Sequence, residues 1–336
     1  MKYKEAEDIS NILDGAKRIV IIQANNPDGD SLASSLALEQ ILHDLGKEPH
    51  MYCGMGIPTY LRYLPGWDRV DKDIPSSFDA SIIVDCSSRS LLESADKSGQ
   101  LAWVASKPTI IIDHHDAPNT IDFAKTVLNR PDAVSTGEVI YELAKQLEWG
   151  LEANALDMIA ISILADSLGL MSQGTSARSI HIIAELVEKG VNLAELDNAR
   201  RELMRKSVDL VRYKASLLNR IEYHNDNRIA TIDIPWNEIE KYSNAYNPSM
   251  LVIDDMRLTE GTEIAIAFKE YRDKKVTAKI RANYGHPVAG KLAEHFGGGG
   301  HPYAAGFKVL DGRPLNEIKS ECIKLSNELL DQTKQE

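Results

Sequence analysis

Cysteine is scarce, with only Cys53, Cys86 and Cys322 in 336 residues. An odd number of scattered thiols without C-x-x-C spacing excludes a disulfide framework and a zinc finger, and suits reduced cysteines in a cytosolic protein. Long apolar runs are missing too. No window approaches the roughly 20 residues needed to span a bilayer. The opening MKYKEAEDISNILDGAKRIVIIQA has no signal-type apolar core followed by a cleavage site. A soluble, cytoplasmic chain with no membrane partner is expected. Basic residues are outnumbered, 38 Lys and Arg against 50 Asp and Glu, for a formal charge of −12. That balance argues against broad binding to long duplex nucleic acid, yet permits a short oligonucleotide or nucleotide held by metals and a few basic side chains. Internal repeats and low-complexity tracts are absent.

What is present is material for two cores: 43% of the residues are hydrophobic, and the length suits two ordinary domains. Short β-branched runs at 18–24, 80–84 and 109–112, with a further candidate strand at 47–53, alternate with helical stripes, which predicts an α/β fold with a doubly wound, mainly parallel sheet. Residues 155–170 (ALDMIAISILADSLGL) read as an apolar helix with Asp157 in its first turn and Asp166 well inside. From 179 to 223 the pattern is helical without a break. Beyond Arg228, strand-like RIATIDIP, TEIAIAFKEY and KKVTAKIRANY precede a helical VAGKLAEHF, the run FGGGGHPYAAGFKVL and a final helix over 316–332. The expected division is a first domain over 1–190, a helical connector over 191–225 and a smaller α+β domain over 226–336.

The first domain concentrates acid at strand ends. TIIIDHHD (109–116) reads as a buried strand delivering Asp113, His114 and His115 to the sheet edge where α/β folds bind ligands. NNPDGDSLASS places Asp28 and Asp30 in a turn before a helix, with Ser31, Ser34 and Ser35 able to face a phosphate. A plainer use is N-capping by Asp30 or Ser31. Asp85 ends a third strand, and Asp166 inside an apolar helix is costly unless paired or bound to metal; the plainer reading is an aspartate near the helix end at Gly169 that faces solvent. Asp28, Asp30, Asp85, His114 and Asp166 form a hard ligand set suited to Mn²⁺ or Mg²⁺ and to a two-metal site, for which phosphoester hydrolysis is the natural reaction. In the second domain, four glycines before His301 can bring backbone N–H groups to an anion as a nest. Arg281 can add a bidentate phosphate contact, with Lys279 and His286 as weaker candidates.

Taken together, NNPDGDSLASS, IIVDCSS, DHH, ILADSLGL and GGGGHPYAAGF resemble, in order, the motifs of the DHH phosphoesterase superfamily, in the branch with a DHH-associated C-terminal domain. The length and C-terminal signature are similar to its oligoribonuclease and 3′-phosphoadenosine-5′-phosphate phosphatase group. The resemblance implies two manganese ions, one held by Asp28 and Asp85, the other by Asp30, Asp85, His114 and Asp166. It implies that His115 contacts the reacting phosphate and that Asp113 supports the histidines. It also implies that Arg281, Gly298, Gly299, Gly300 and His301 bind the nucleotide's phosphate end between the domains; relatives often pair as homodimers. One departure stands out. Where relatives carry a histidine four residues before the first aspartate, this chain has Ala24, with Gln23, Asn25 or Asn26 at hand to offer an amide oxygen instead. The alternative is a catalytically weakened nucleotide or cyclic-dinucleotide binding protein.

Overall fold

The computed structural model describes residues 2–243 and 245–333. The chain divides into two compact units, Met1–Arg205 and Lys206–Glu336. In the first, β1 (Arg18–Ile22), β2 (Glu48–Tyr52), β3 (Ala80–Val84), β4 (Thr109–Asp113) and β5 (Thr126–Asn129) form a parallel sheet in the order β2-β1-β3-β4-β5. β3 and β4 are buried along their whole length, as their unbroken β-branched composition requires of strands covered on both faces. One face carries α1 (Ala6–Asp14), α2 (Gly29–Asp44), α5 (Thr136–Gln146), α6 (Ala153–Asp166) and α7 (Ala177–Glu188); the other carries α3 (Glu93–Lys97) and α4 (Gln100–Ala105). This strand order reverses between β1 and β3, so a crevice opens at their carboxyl ends.

Two helical expectations change. α6 ends at Asp166, because Leu168, Gly169 and Leu170 take φ of 52°, 71° and 71° and unwind the chain. Asp166 is therefore the last helical residue, half-buried, and not deep inside a helix. The uninterrupted helical stretch breaks into α7, α8 (Leu193–Leu203) and α9 (Val208–Leu218), with Gly190 at φ 104°. The stretch expected as a connector is shared: Leu193 and Leu196 pack on the first core, while Leu210, Tyr213 and Leu217 belong to the second.

In the second unit, β6 (Glu222–His224), β7 (Ile229–Ile234), β8 (Ile264–Glu270), β9 (Val276–Ala282), β10 (Gly299–His301) and β11 (Ala304–Val309) form a mixed sheet in the order β10-β11-β9-β8-β7-β6, parallel only between β7 and β8 among the described residues. α9, α10 (Trp236–Tyr242) and α11 (Ile253–Arg257) cover one face, α12 (Ala289–His295) and α13 (Leu315–Gln332) the other. No helix among the described residues is long and apolar enough to cross a membrane.

Candidate functional site

The acidic residues follow β1, β3 and β4 into the crevice. Asp28 is the N-cap of α2, its Oδ1 accepting from Ser31 N at 3.0 Å; neither Asp30 nor Ser31 is the cap. Asp30, in the first turn, is fully buried. Asp85 leaves β3 with φ 57°, a left-handed conformation that aspartate tolerates better than most residues. Asp113 closes β4, and the rings of His114 and His115 come next, the first 13% and the second 53% exposed.

The convergence point is His114 Nε2. It lies 3.5 Å from Asp30 Oδ2, 3.5 Å from Asp85 Oδ1 and 3.3 Å from Asp166 Oδ2. On the far side of the ring, Nδ1 is 3.3 Å from the Ala133 carbonyl; a proton donated there turns Nε2 toward the carboxylates. Nε2 is nonetheless buried without a hydrogen-bond partner. Burial, with Asp30, Asp28, Asp113 and Asp166 adding to it, raises Asp85 well above the usual carboxylate range. Asp30 is raised too, by burial and then by Asp166. Asp166 sits where the C-terminal end of a helix dipole disfavours negative charge. Crowded carboxylates around an orphaned imidazole nitrogen are a donor set that a hard divalent cation satisfies. Two overlapping groups could hold one: Asp30, His114 and Asp166, and Asp85, His114 and His115, each with ligand atoms within 4.8 Å of one another. Asp28 is in neither.

Several residues support the carboxylates, among them Ser34, expected to face a phosphate, which instead donates to Asp30. Asp30 accepts from Ser34 Oγ at 2.7 Å, Ser162 Oγ at 2.5 Å and Thr136 N at 2.8 Å, and Thr136 Oγ1 donates to Asp85 at 3.0 Å. They are ordinary serines and threonines in helices, and only the packing of α2, α5 and α6 brings them to the carboxylates. Gly137 makes that packing close: a Cβ there would collide with Ser162 Oγ and lie 2.6 Å from its Cβ. Gly137→Ala should therefore cost about 1–3 kcal/mol of stability through overpacking, read as a lower Tm, while a neighbouring control at the exposed Lys145 should not.

Asp113 is hydrogen bonded to both histidines. Its Oδ1 accepts from His114 N at 2.7 Å, His115 N at 3.2 Å and His115 Nδ1 at 2.8 Å, and Ser87 Oγ donates to Oδ2. Burial alone would raise Asp113, but the bonds from His115 and Ser87 hold it below the usual range. The same bond raises His115 and leaves Nε2 as its outward ring atom.

Ala24 is buried in an apolar cluster with Tyr52 and Cys86. Asn25, with its amide oxygen toward α3, accepts from Glu93 N and Ser94 N at 3.2 and 3.1 Å. Gln23 is fully buried with neither amide atom hydrogen bonded. Asn26 is exposed.

In the second unit, Arg281 of β9 lines a cavity of about 540 Å³ with Gly299, Gly300 and His301. The glycine run differs from the expected nest. Gly298 N donates to Ala293 O at 2.9 Å and closes α12. Gly299–His301 is an edge strand paired with β11. At Gly300, φ is 144° and a Cβ would lie 2.6 Å from Ala304 O, so close strand approach demands glycine. An edge strand still leaves alternate N–H groups unpaired. His286 stands 3.7 Å from Glu263 Oε2 and lies outside the cavity lining.

Residues 18–168 match the DHH family N-terminal domain and residues 243–328 the DHHA1 domain. The chain is 22% identical over 314 residues to the bifunctional oligoribonuclease and PAP phosphatase NrnA of Bacillus subtilis, covering 92% of this chain and 95% of that one. It is 26% identical over 305 residues to the protein of that name from Thermus thermophilus, covering 91% and 88%. Among solved structures, an exopolyphosphatase-related protein from Bacteroides fragilis superposes with a TM-score of 0.80 at 21% identity, over 98% of this chain and 96% of that one. Exonuclease RecJ bound to manganese does so at 0.52 and 16%, over 96% and 94%. A DHH domain with its strand-end acids and DHH triplet, followed by a DHHA1 domain with its glycine-rich hairpin, makes this chain a member of the DHH superfamily.

Proposed function

We propose that the protein is a metal-dependent phosphoesterase that hydrolyses short oligonucleotides and 3′-phosphoadenosine-5′-phosphate, with Mn²⁺ as its preferred ion. The observation that carries this reading is the orphaned Nε2 of His114 facing Asp30, Asp85 and Asp166. The relatives named oligoribonuclease and PAP phosphatase, and the manganese in RecJ, support the choice of substrate and ion. Asp30, Asp85, His114 and Asp166 would hold one cation, and Asp28 and Asp85 a second. When bound, such ions supply Lewis acidity toward a phosphoryl oxygen and lower the pKa of water. The chain supplies the rest. His115, whose pKa the bond to Asp113 raises, in its protonated form offers Nε2–H to a phosphoryl oxygen, where developing charge is stabilised. Thr136, Ser34 and Ser162 fix the carboxylates so that little reorganisation accompanies binding. Arg281, with the hairpin Gly299–His301, receives the phosphate end of the nucleotide.

The test is turnover by the purified full-length protein with Mn²⁺ or Mg²⁺ against dinucleotides, 3′-phosphoadenosine-5′-phosphate and cyclic dinucleotides. Hydrolysis of linear dinucleotides or of the bisphosphate is expected. No turnover of any member, with metal occupancy verified, would overturn the reading. Within it, Arg281→Ala should raise KM by about tenfold while changing kcat little, since a ground-state phosphate contact is lost. A loss confined to kcat would place Arg281 in the chemical step.

A further inference from the structure

The two sides of the acidic cluster are unequally furnished. Toward His114 the chain offers three carboxylates and an imidazole, with Asp30 Oδ2, Asp85 Oδ1 and Asp166 Oδ2 within 3.5 Å of Nε2. Two of these carboxylates are fixed in turn, Asp30 by Ser34, Ser162 and Thr136 N, and Asp85 by Thr136 Oγ1. Such a donor set, completed by water, suits a hard divalent cation.

The side toward Asp28 has far less to offer. Asp28 is exposed, stands outside both compact ligand groups, and has Oδ1 engaged by Ser31 N at 3.0 Å. Asp85, the other carboxylate there, already turns Oδ1 to His114 Nε2 and Thr136 Oγ1. Ala24, in the place where relatives carry a histidine, is 7% exposed in an apolar cluster with Ile22, Tyr52, Ile83 and Cys86. A methyl group donates nothing. The adjoining polar groups are occupied: Cys53 Sγ donates to Ala24 O at 3.4 Å, Asn25 N donates to Leu91 O at 2.8 Å, and the Asn25 amide oxygen accepts from Glu93 N and Ser94 N.

One exposed carboxylate and one shared carboxylate thus stand against four donors on the other side, and a cation already in place repels a second. A residue that merely orients a metal ligand is worth about 10–100-fold in affinity, so a ligand lost outright costs no less. Hard cations held by only one or two carboxylates are characteristically completed by substrate phosphates.

We infer that the resting protein holds a single divalent cation, at Asp30, Asp85, His114 and Asp166, and that Asp28 and Asp85 take a second only together with the phosphate of the substrate, whose oxygen replaces the donor that Ala24 lacks. This rests on the phosphoesterase reading and names how that site is regulated. Cation and substrate then favour each other's binding reciprocally, so KM for a dinucleotide falls as Mn²⁺ is raised.

The experiment titrates Mn²⁺ into the metal-free full-length protein and counts bound ions by electron paramagnetic resonance and calorimetry. One ion per chain should bind tightly and a second at least about 100-fold more weakly. Saturating adenosine 5′-monophosphate should tighten the second by at least about tenfold, with the spectrum of a spin-coupled Mn²⁺ pair appearing only then, and adenosine should not. Asp28→Asn should leave the affinity for the first ion unchanged and abolish the uptake driven by the nucleotide. Ala24→His should admit two ions without nucleotide; if circular dichroism shows that this variant does not fold, Asp28→Asn still decides. Two ions of similar affinity in the nucleotide-free protein would overturn the inference, and loss of one of them in Gln23→Leu would identify that buried amide as the replacement donor. Weakening of the first ion by Asp28→Asn would overturn it too. If one ion binds and no nucleotide is hydrolysed, the phosphoesterase reading falls and the stoichiometry stands; turnover by a protein with two resident ions sinks the stoichiometry alone.

Discussion

Asp85→Ala should lower kcat/KM by more than about 100-fold, because it removes the carboxylate expected to serve both cations, and even residues that merely orient metal ligands are worth 10–100-fold. Asp28→Ala should be milder. Asp28 is exposed, belongs to neither compact ligand group and spends one oxygen capping α2. Its loss should cost about 1 kcal/mol of stability through the cap along with part of the activity. Steady-state kinetics with a dinucleotide separates the two. Near-wild-type turnover by Asp85→Ala would remove it from the metal site. Stability should move the other way in metal-free protein. Burial and four neighbouring carboxylates disfavour an ionised Asp85, so Asp85→Asn should raise the metal-free Tm even as it abolishes activity.

The second large effect is on pH dependence. Burial alone would lower the His114 pKa, but Asp166 and Asp30 outweigh it and carry it to about 9 from the ordinary 6.5. The folded metal-free protein thus holds a proton on His114 that the unfolded chain has released. That stabilisation is complete below pH about 6.5 and disappears as pH rises through about 9, a contribution on the order of 3 kcal/mol. Asp30 and Asp85, also raised, extend the same downward slope to lower pH. A cation replaces the proton, so saturating Mn²⁺ should raise Tm most at high pH and flatten the slope. Thermal melts from pH 6 to 9 with and without metal check this; parallel slopes in both would separate His114 from the ion.

Much of the site was legible because strand ends carry their chemistry in consecutive letters. The Thr109–Asp113 strand appears as read, and Asp113, His114 and His115 follow it into the crevice. The fold class was legible for a related reason: the central buried parallel strands are unbroken β-branched runs. Asp166 illustrates a limit. Its apolar surroundings were correctly read as a helix, but the helix end depended on three successive left-handed residues, of which only Gly169 advertises that conformation. The glycine run shows another. Its composition suits an anion nest and a tight edge strand equally, and the facing strand β11 selected the strand.

The sequence by itself determined four of the five strands of the parallel sheet, the acids at its edge, the DHH triplet and the basic strand of the second unit, because those are local patterns. Tertiary structure decided which atoms meet. Nothing local links Ser162, Thr136 and Ala133 to residues 30, 85 and 114, nor tells that Lys269 shares a cavity with Lys279 and Arg281. Those relations arise where separate helices and strands pack, and hydrogen bonding and burial act through space, independent of distance along the chain.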